Sequence, residues 1–249
     1  MNRLAYQTAH ASALVRGLVW RKNQALTGTR VLMFHDLHEN GDPNDLYSIP
    51  VNTFVAGIRR LANWATASRT PWVRFDSNPT PGVAITFDDG YRSTLRLAAE
   101  VLVEHGIPFH VFVTKHYVEN NDARYLTCDD VRSLVSLPLA TVGVHGATHS
   151  RFTDLAPDVL QRELRESMHW LEDLTGSKVT SLSYPHGALN DAVVNEVSAA
   201  GFTAAACSAC GTYRDTSLRL RIPRIDVWSR DTSATFVSKT RGDWDHVLP

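Results

Sequence analysis

The 249-residue chain lacks a basic surplus, a disulfide framework and a long apolar run, and each lack removes a class of function. Its net charge is -1, so nucleic acid is not expected as a partner, because binding phosphates takes an excess of Lys and Arg. Three cysteines (Cys128, Cys207 and Cys210) are odd in number and too few for a cross-linked scaffold. Cys207-x-x-Cys210 has neither a second pair nor a thioredoxin context, and reads as two structural thiols. No uncharged apolar run approaches the roughly 20 residues that span a bilayer. The stretch from Ala13 to Trp20 is broken by Arg16, and no small-residue cleavage site follows it, so it does not read as a signal peptide and a cytoplasmic location is expected. No low-complexity or Pro- or Ser-rich segment divides the chain, and one catalytic domain over 1–249 is the simplest organisation.

What the sequence does contain is a soluble-globular composition, 43% hydrophobic, long enough to bury a substantial core. An amphipathic helix is expected over about 5–25, with Leu14, Leu18 and Val19 set against Arg16, Arg21 and Lys22. From about 30 to 230, short apolar runs alternate with helical patterns. Strands are expected at Arg30–Phe34, Val83–Phe87, Phe109–Thr114, Thr141–Val144, Ser181–Tyr184, Phe202–Ala206 and Ile222–Val227. Helices are expected over Val51–Ala67, Ser93–His105, Thr127–Leu137, Pro157–Thr175 and Asp191–Ala200, and a polar loop from His35 to Ser48. Such alternation implies an α/β fold with a mainly parallel sheet, open or closed into a barrel.

Three segments follow directly on predicted strands, where α/β folds place their active sites. In Thr86-Phe87-Asp88-Asp89-Gly90, two adjacent carboxylates after an apolar strand repel each other unless something compensates them. A metal ion does so, taking one as ligand and leaving the other as base; Asp-Asp-Gly is also a common turn signal. In His145-Gly146-Ala147-Thr148-His149, the spacing predicts two imidazoles on one face of a helical turn, able to reach one ion. Ser183-Tyr184-Pro185-His186-Gly187 alone reads as a strand entering a turn.

Taken together, TFDDG, HGATH and SYPHG resemble the three motifs of the polysaccharide deacetylases (NodB-homology, carbohydrate esterase family 4), and the resemblance runs from about Val31 to about Val227. It implies a distorted (β/α) barrel of about seven parallel strands holding one divalent ion. Zinc suits one carboxylate and two histidines, with cobalt, nickel or iron as alternatives. Position by position, it makes Asp89, His145 and His149 the metal ligands, Asp88 the catalytic base, and the backbone N–H of His186 an oxyanion donor. The implied activity is removal of an N-acetyl group from an amino-sugar-containing glycan or a surface-polysaccharide precursor.

The departures from the family pattern matter too. Ser183 stands where the family usually has an arginine steadying the base, and His186 replaces an aromatic residue. The late Leu-x-His motif that supplies the general acid is missing. His35, beside Asp36 at the end of the first strand, is a candidate acid, as is His246; an early strand ending in aromatic-His accompanies this looser third motif in one subgroup. Tyr184, Pro185 and Trp228 are candidate substrate contacts. The alternatives are hydrolysis of a cyclic amide or formamide on the same scaffold, or a glycan-binding protein that has lost its acid.

Overall fold

The computed structural model describes residues 25–39 and 45–245. The predicted N-terminal helix, apart from its last residue, and His246 lie outside them.

The strands form where the apolar runs are continuous. β1 (Thr29–Phe34), β4 (Gly82–Phe87) and β5 (Phe109–Val113) are buried at every position. Parallel strands covered on both faces have this property. With β6 (Ala140–Val144), β7 (Ser181–Ser183), β8 (Ala204–Ala206) and β9 (Ile225–Asp226), they make one seven-stranded sheet in the order β8-β7-β6-β5-β4-β1-β9. Every pairing in it is parallel. The sheet curls into a half-barrel, which is the distorted (β/α) barrel with seven parallel strands that the motifs implied.

Helices α1 (Val51–Ser68), α2 (Ala99–Glu104), α4 (Cys128–Val135), α5 (Pro157–Thr175) and α6 (Asp191–Ala199) follow the predicted patterns. Thr127 and Asp130 close a reciprocal capping box at the start of α4, which is why that helix begins where it does. Stripes of apolar residues face the sheet, Phe54, Ile58 and Leu61 from α1 and Leu160, Leu164 and Leu171 from α5. Phe34 is the centre of an aromatic cluster, its ring 5.3 Å from Phe54, 5.4 Å from Phe87 and 5.5 Å from Phe236. Gly57 lies so close to the Phe236 ring that no Cβ fits between them.

Several local details differ from the sequence reading. The stretch expected to be a polar loop from His35 to Ser48 contains a small parallel pair, β2 (Asp36–His38) with β3 (Ser48–Pro50). It forms because Leu37 and Ile49 are buried, while the Asp36 carboxylate accepts bonds from Ser48 Oγ (2.6 Å) and Ser93 Oγ (2.7 Å). The helix expected from Ser93 begins instead as one π turn, Thr94–Ala98, before continuing as α2. Two helices were not foreseen, α3 (Lys115–Glu119) and α7 (Ser233–Thr240). The first is too short to show a period. In the second, Lys239 and Thr240 are buried and mask the apolar pattern.

Candidate active site

The three motifs meet at the C-terminal edge of the sheet because each lies at the end of one of its strands, β4, β6 and β7. They line one cavity of about 380 Å³, whose wall also includes His35, Asp45, Tyr47, Tyr91, Arg151 and Asp226.

Asp89, His145 and His149 each present one ligand atom, and these atoms lie within 4.8 Å of one another. Asp89 Oδ1 is 3.3 Å from His145 Nε2 and 3.1 Å from His149 Nε2. It is nevertheless buried without a hydrogen bond of ordinary geometry. Buried polar atoms are rarely left so. Two ligand atoms about 2.0–2.1 Å from a tetrahedral ion sit about 3.3 Å apart, so these spacings are compatible with a shared ion. His145 Nδ1 lies 2.8 Å from the Ser183 carbonyl oxygen. A carbonyl only accepts, so Nδ1 carries the proton and the Nε2 lone pair faces the site, as a metal-ligating histidine requires. Burial disfavours the charged form of His145, but Asp88 and Asp89 outweigh it and push its pKa up. Burial likewise opposes ionisation of Asp89, and the two histidines overcome it, leaving its pKa well below the ordinary carboxylate value.

The histidines do not share the face of a helical turn, as their spacing suggested. Residues 145–150 form an irregular loop, with Gly146 at φ 75° and His149 at φ 65°. The loop is shaped by Glu163 of α5, a buried carboxylate. Its Oε2 accepts from the N–H groups of Ala147 (2.9 Å) and Thr148 (3.1 Å), and its Oε1 accepts from Thr148 Oγ1 (2.7 Å). Three hydrogen bonds to one carboxylate thus replace the helical ladder the loop does not have. A divalent ion held by Asp89, His145 and His149 would be bound about 10- to 100-fold more weakly in Glu163→Ala, the usual cost of removing a group that orients ligands. Competition against a chromophoric chelator measures this, and an unaltered affinity would remove Glu163 from the site.

Non-glycine residues with positive φ are uncommon and strained. Of the five among the described residues, three belong to the motifs: Asp89 (68°), His149 (65°) and His186 (60°).

Asp88 is held by a residue that sequence reasoning missed. Arg224, buried at the entry to β9, donates from Nη1 to Oδ1 (2.7 Å) and from Nη2 to Oδ2 (2.7 Å). Its other donors reach Ser183 Oγ (2.8 Å), Thr86 Oγ1 (3.3 Å) and the Cys207 carbonyl (3.0 Å). Ser183 Oγ donates to Asp88 Oδ2 at 3.0 Å. The guanidinium absent from position 183 therefore arrives from another strand, and the smaller serine leaves room for it. Burial alone would raise the Asp88 pKa; Arg224 and His145 overcome that and lower it to about 2. Asp88 is ionised at any working pH. The signal was present in the sequence, since an arginine between Pro223 and Ile225 in a buried strand has to meet a carboxylate. Glu163, set inside the Leu160–Leu164 apolar stripe, was legible in the same way.

His35 borders the cavity with its ring 4.5 Å from that of Tyr47, and its buried Nδ1 has no hydrogen bond. Asp226 also lines the cavity; burial raises its pKa, and Oδ1 is likewise unbonded. The His186 ring lies 4.6 Å from His149, with Nε2 3.2 Å from the His149 carbonyl oxygen. Two predicted substrate contacts sit elsewhere. Pro185 is buried beside the cavity without lining it, and Trp228 supports the buried Lys239, whose Nζ is 4.5 Å from the ring centroid. Tyr184 lines the cavity, but its hydroxyl is committed to the Leu220 carbonyl (2.8 Å). Cys207 and Cys210 are free thiols; the first donates to the Ile222 carbonyl, and burial pushes the second up to about 12.

The family model for polysaccharide deacetylase matches residues 76–205, just over half of the chain. The chain belongs to the polysaccharide deacetylase family. Among curated proteins it is 23% identical over 189 residues to YxkH of Bacillus subtilis (strain 168), which is assigned by name to the same family. That match covers 74% of this chain and 65% of YxkH, so the chain spans about two thirds of its relative's length. Among solved structures, BA0330 of Bacillus anthracis superposes with a TM-score of 0.74 at 22% identity, covering 86% of this chain and 69% of that one. The Streptococcus pyogenes deacetylase PplD, solved with acetate, gives 0.72 at 16% identity, covering 87% and 99%. At these identities the superpositions establish the deacetylase fold. No helix among the described residues is long and apolar enough to cross a membrane.

Proposed function

We propose that the chain is a metal-dependent N-deacetylase acting on an amino-sugar-containing glycan. The observation that carries this reading is the pairing of two unlike carboxylates. Asp89 has a buried oxygen aimed with two imidazoles at a common point, while Asp88, one residue away, is kept ionised by Arg224. Asp89, His145 and His149 would hold a divalent ion, and the one-carboxylate, two-imidazole donor set favours zinc. Such an ion supplies activation of water near neutral pH and polarisation of the acetamide carbonyl.

The chain's own residues do the rest. Asp88 accepts the proton of the attacking water as the new C–O bond forms. The backbone N–H of His186 shares the charge that builds on the carbonyl oxygen. The leaving sugar amine needs a proton, and His35, on the cavity wall, would give it. Asp226, beside it on the wall, would steady the charged imidazole.

Acetate release from oligomers of N-acetylglucosamine tests the reading. Zinc-loaded protein should release acetate, a chelator should abolish it, and added zinc should restore it. Zinc bound at one equivalent with no acetate released would reject the assignment. Turnover of a cyclic amide or formamide, with none of acetylated sugars, would replace the substrate class.

A further inference from the structure

The proton donor and the metal ligands stand at the ends of neighbouring strands, and the reaction depends on the distance between them. β1 and β4 keep their register to the last pair, Phe34 with Phe87, and the Asp88 N–H still donates to the Phe34 carbonyl at 2.9 Å. Beyond that point the two chains part, one carrying His35 and the other Asp89. The His35 ring is not steered from Nδ1, which is buried without a hydrogen bond. Its place is set by the main chain on which it sits.

His35 lines the cavity and Asp36, the next residue, does not, the alternation of sides usual in extended chain. On its own side Asp36 makes a clamp. Its Oδ1 accepts from Ser93 Oγ at 2.7 Å, and its Oδ2 accepts from Ser48 Oγ at 2.6 Å. Ser93 Oγ in turn accepts the Leu37 N–H at 3.0 Å. Ser93 is on the chain that carries Asp89, and beside it the Arg92 N–H donates to the Arg124 carbonyl at 2.8 Å. One carboxylate thus joins the segment bearing His35, the segment bearing Asp89 and the start of β3.

This clamp supplies what packing does not. β2 and β3 have three residues each and pair with each other, apart from the seven-stranded sheet. Leu37 and Ile49 are buried and hold the pair down, but apolar contact has no direction. Hydrogen bonds to a carboxylate are short and directional. Directly after Ser93 the helix makes its π turn, Thr94–Ala98. Such turns are rare and gather at functional positions.

We infer that Asp36, acting through Ser93, is a positioning residue that sets His35 at its working distance from Asp88 and the metal triad. The inference rests on the deacetylase reading with His35 as proton donor, and one of its two readouts does not need turnover. Acetate release from the N-acetylglucosamine tetramer would be followed with the zinc-loaded full chain and a cycle of Asp36 and His35 variants. Asp36→Ala should lower kcat about 10- to 100-fold, the effect of displacing a catalytic group by about 1 Å, with KM within about twofold and zinc still bound at one equivalent. In a His35→Gln background the same change should cost nothing further, because two residues that act through one group are not additive. Ser93→Ala should act in the same direction and Ser93→Thr, which keeps the hydroxyl, should restore kcat; this pair carries the cycle if Asp36→Ala does not fold. The second readout is the His35 ring signal in a proton–nitrogen NMR spectrum, assigned by its absence from His35→Gln. It should move in Asp36→Ala and in Ser93→Ala.

Losses that add in the double variant, zinc released by the clamp variants, or a His35 signal that does not move would each overturn the inference. A signal that moves in a protein that releases no acetate would leave the clamp standing and remove the deacetylase reading. Acetate release with an unmoved signal would do the reverse.

Discussion

Replacing Arg224 by Met is expected to cost about 3–5 kcal/mol of stability and to move the acid limit of activity upward by several pH units. Both effects come from one change. Among the described residues, the guanidinium is the only formal cation hydrogen-bonded to the buried Asp88 carboxylate, and it makes both of its shortest contacts there. Without it, burial becomes the dominant influence on Asp88, and burial raises a carboxyl pKa. In the wild type Asp88 stays ionised down to about pH 2, so it contributes no acid limb to kcat/KM at ordinary pH. In the variant such a limb should appear above the ordinary carboxylate value. A pH profile of kcat/KM and a denaturant titration read the two effects separately. If the methionine variant does not fold, Arg224→Lys keeps the charge but loses the two-pronged geometry, and should show a smaller shift of the same sign.

The sign of the stability dependence follows from the same pair. The folded-state pKa of Asp88 lies below its ordinary 3.8. Its contribution, on the order of 2 kcal/mol, is therefore fully present above about pH 4 and is lost as pH falls toward 2. Arg224→Met should remove this acid-side slope, and in the variant stability should instead rise as the carboxyl takes up a proton.

How much of this was visible beforehand depended on whether the signal lay in spacing or in closure of the chain. Strand runs such as VLMF and VAITF carry their own evidence, because parallel strands buried on both faces must be apolar throughout. The helical stripes of α1 and α5 were equally plain. Asp88, Asp89, His145 and His149 were legible only as a set, through the three motifs together and their resemblance to a family, because Asp-Asp-Gly alone is also a turn signal. The Asp88–Arg224 contact spans 136 residues, and only the adjacency of β9 to β1 brings the two ends together. The left-handed turns at Asp89, His149 and His186 were hidden for another reason: Asp and His adopt positive φ only when their surroundings force them, and no local pattern encodes it. The histidine loop was misjudged on the same account. A four-residue spacing has helical meaning only inside a helix, and Gly146 with Glu163 gives this segment a different path.

The second large effect separates chemistry from support. Asp88→Asn should lower kcat about 10²- to 10⁴-fold, the contribution of a positioned base, with zinc still bound at one equivalent. On its own this result is ambiguous, because the amide leaves a buried Arg224 without its counter-charge, and that loss costs several kcal/mol. The double variant Asp88→Asn/Arg224→Met resolves it. Removing both charges removes the unpaired one, so the double variant should recover much of the stability that either single change loses, a coupling expected of groups in direct contact. Activity should not recover with it. Stability restored and catalysis still absent would show that Asp88 acts on the water and that Arg224 serves to keep it charged. If activity returned along with stability, Asp88 would be only a structural partner of Arg224, and the base would have to be sought elsewhere on the cavity wall, which Asp45 and Asp226 also line.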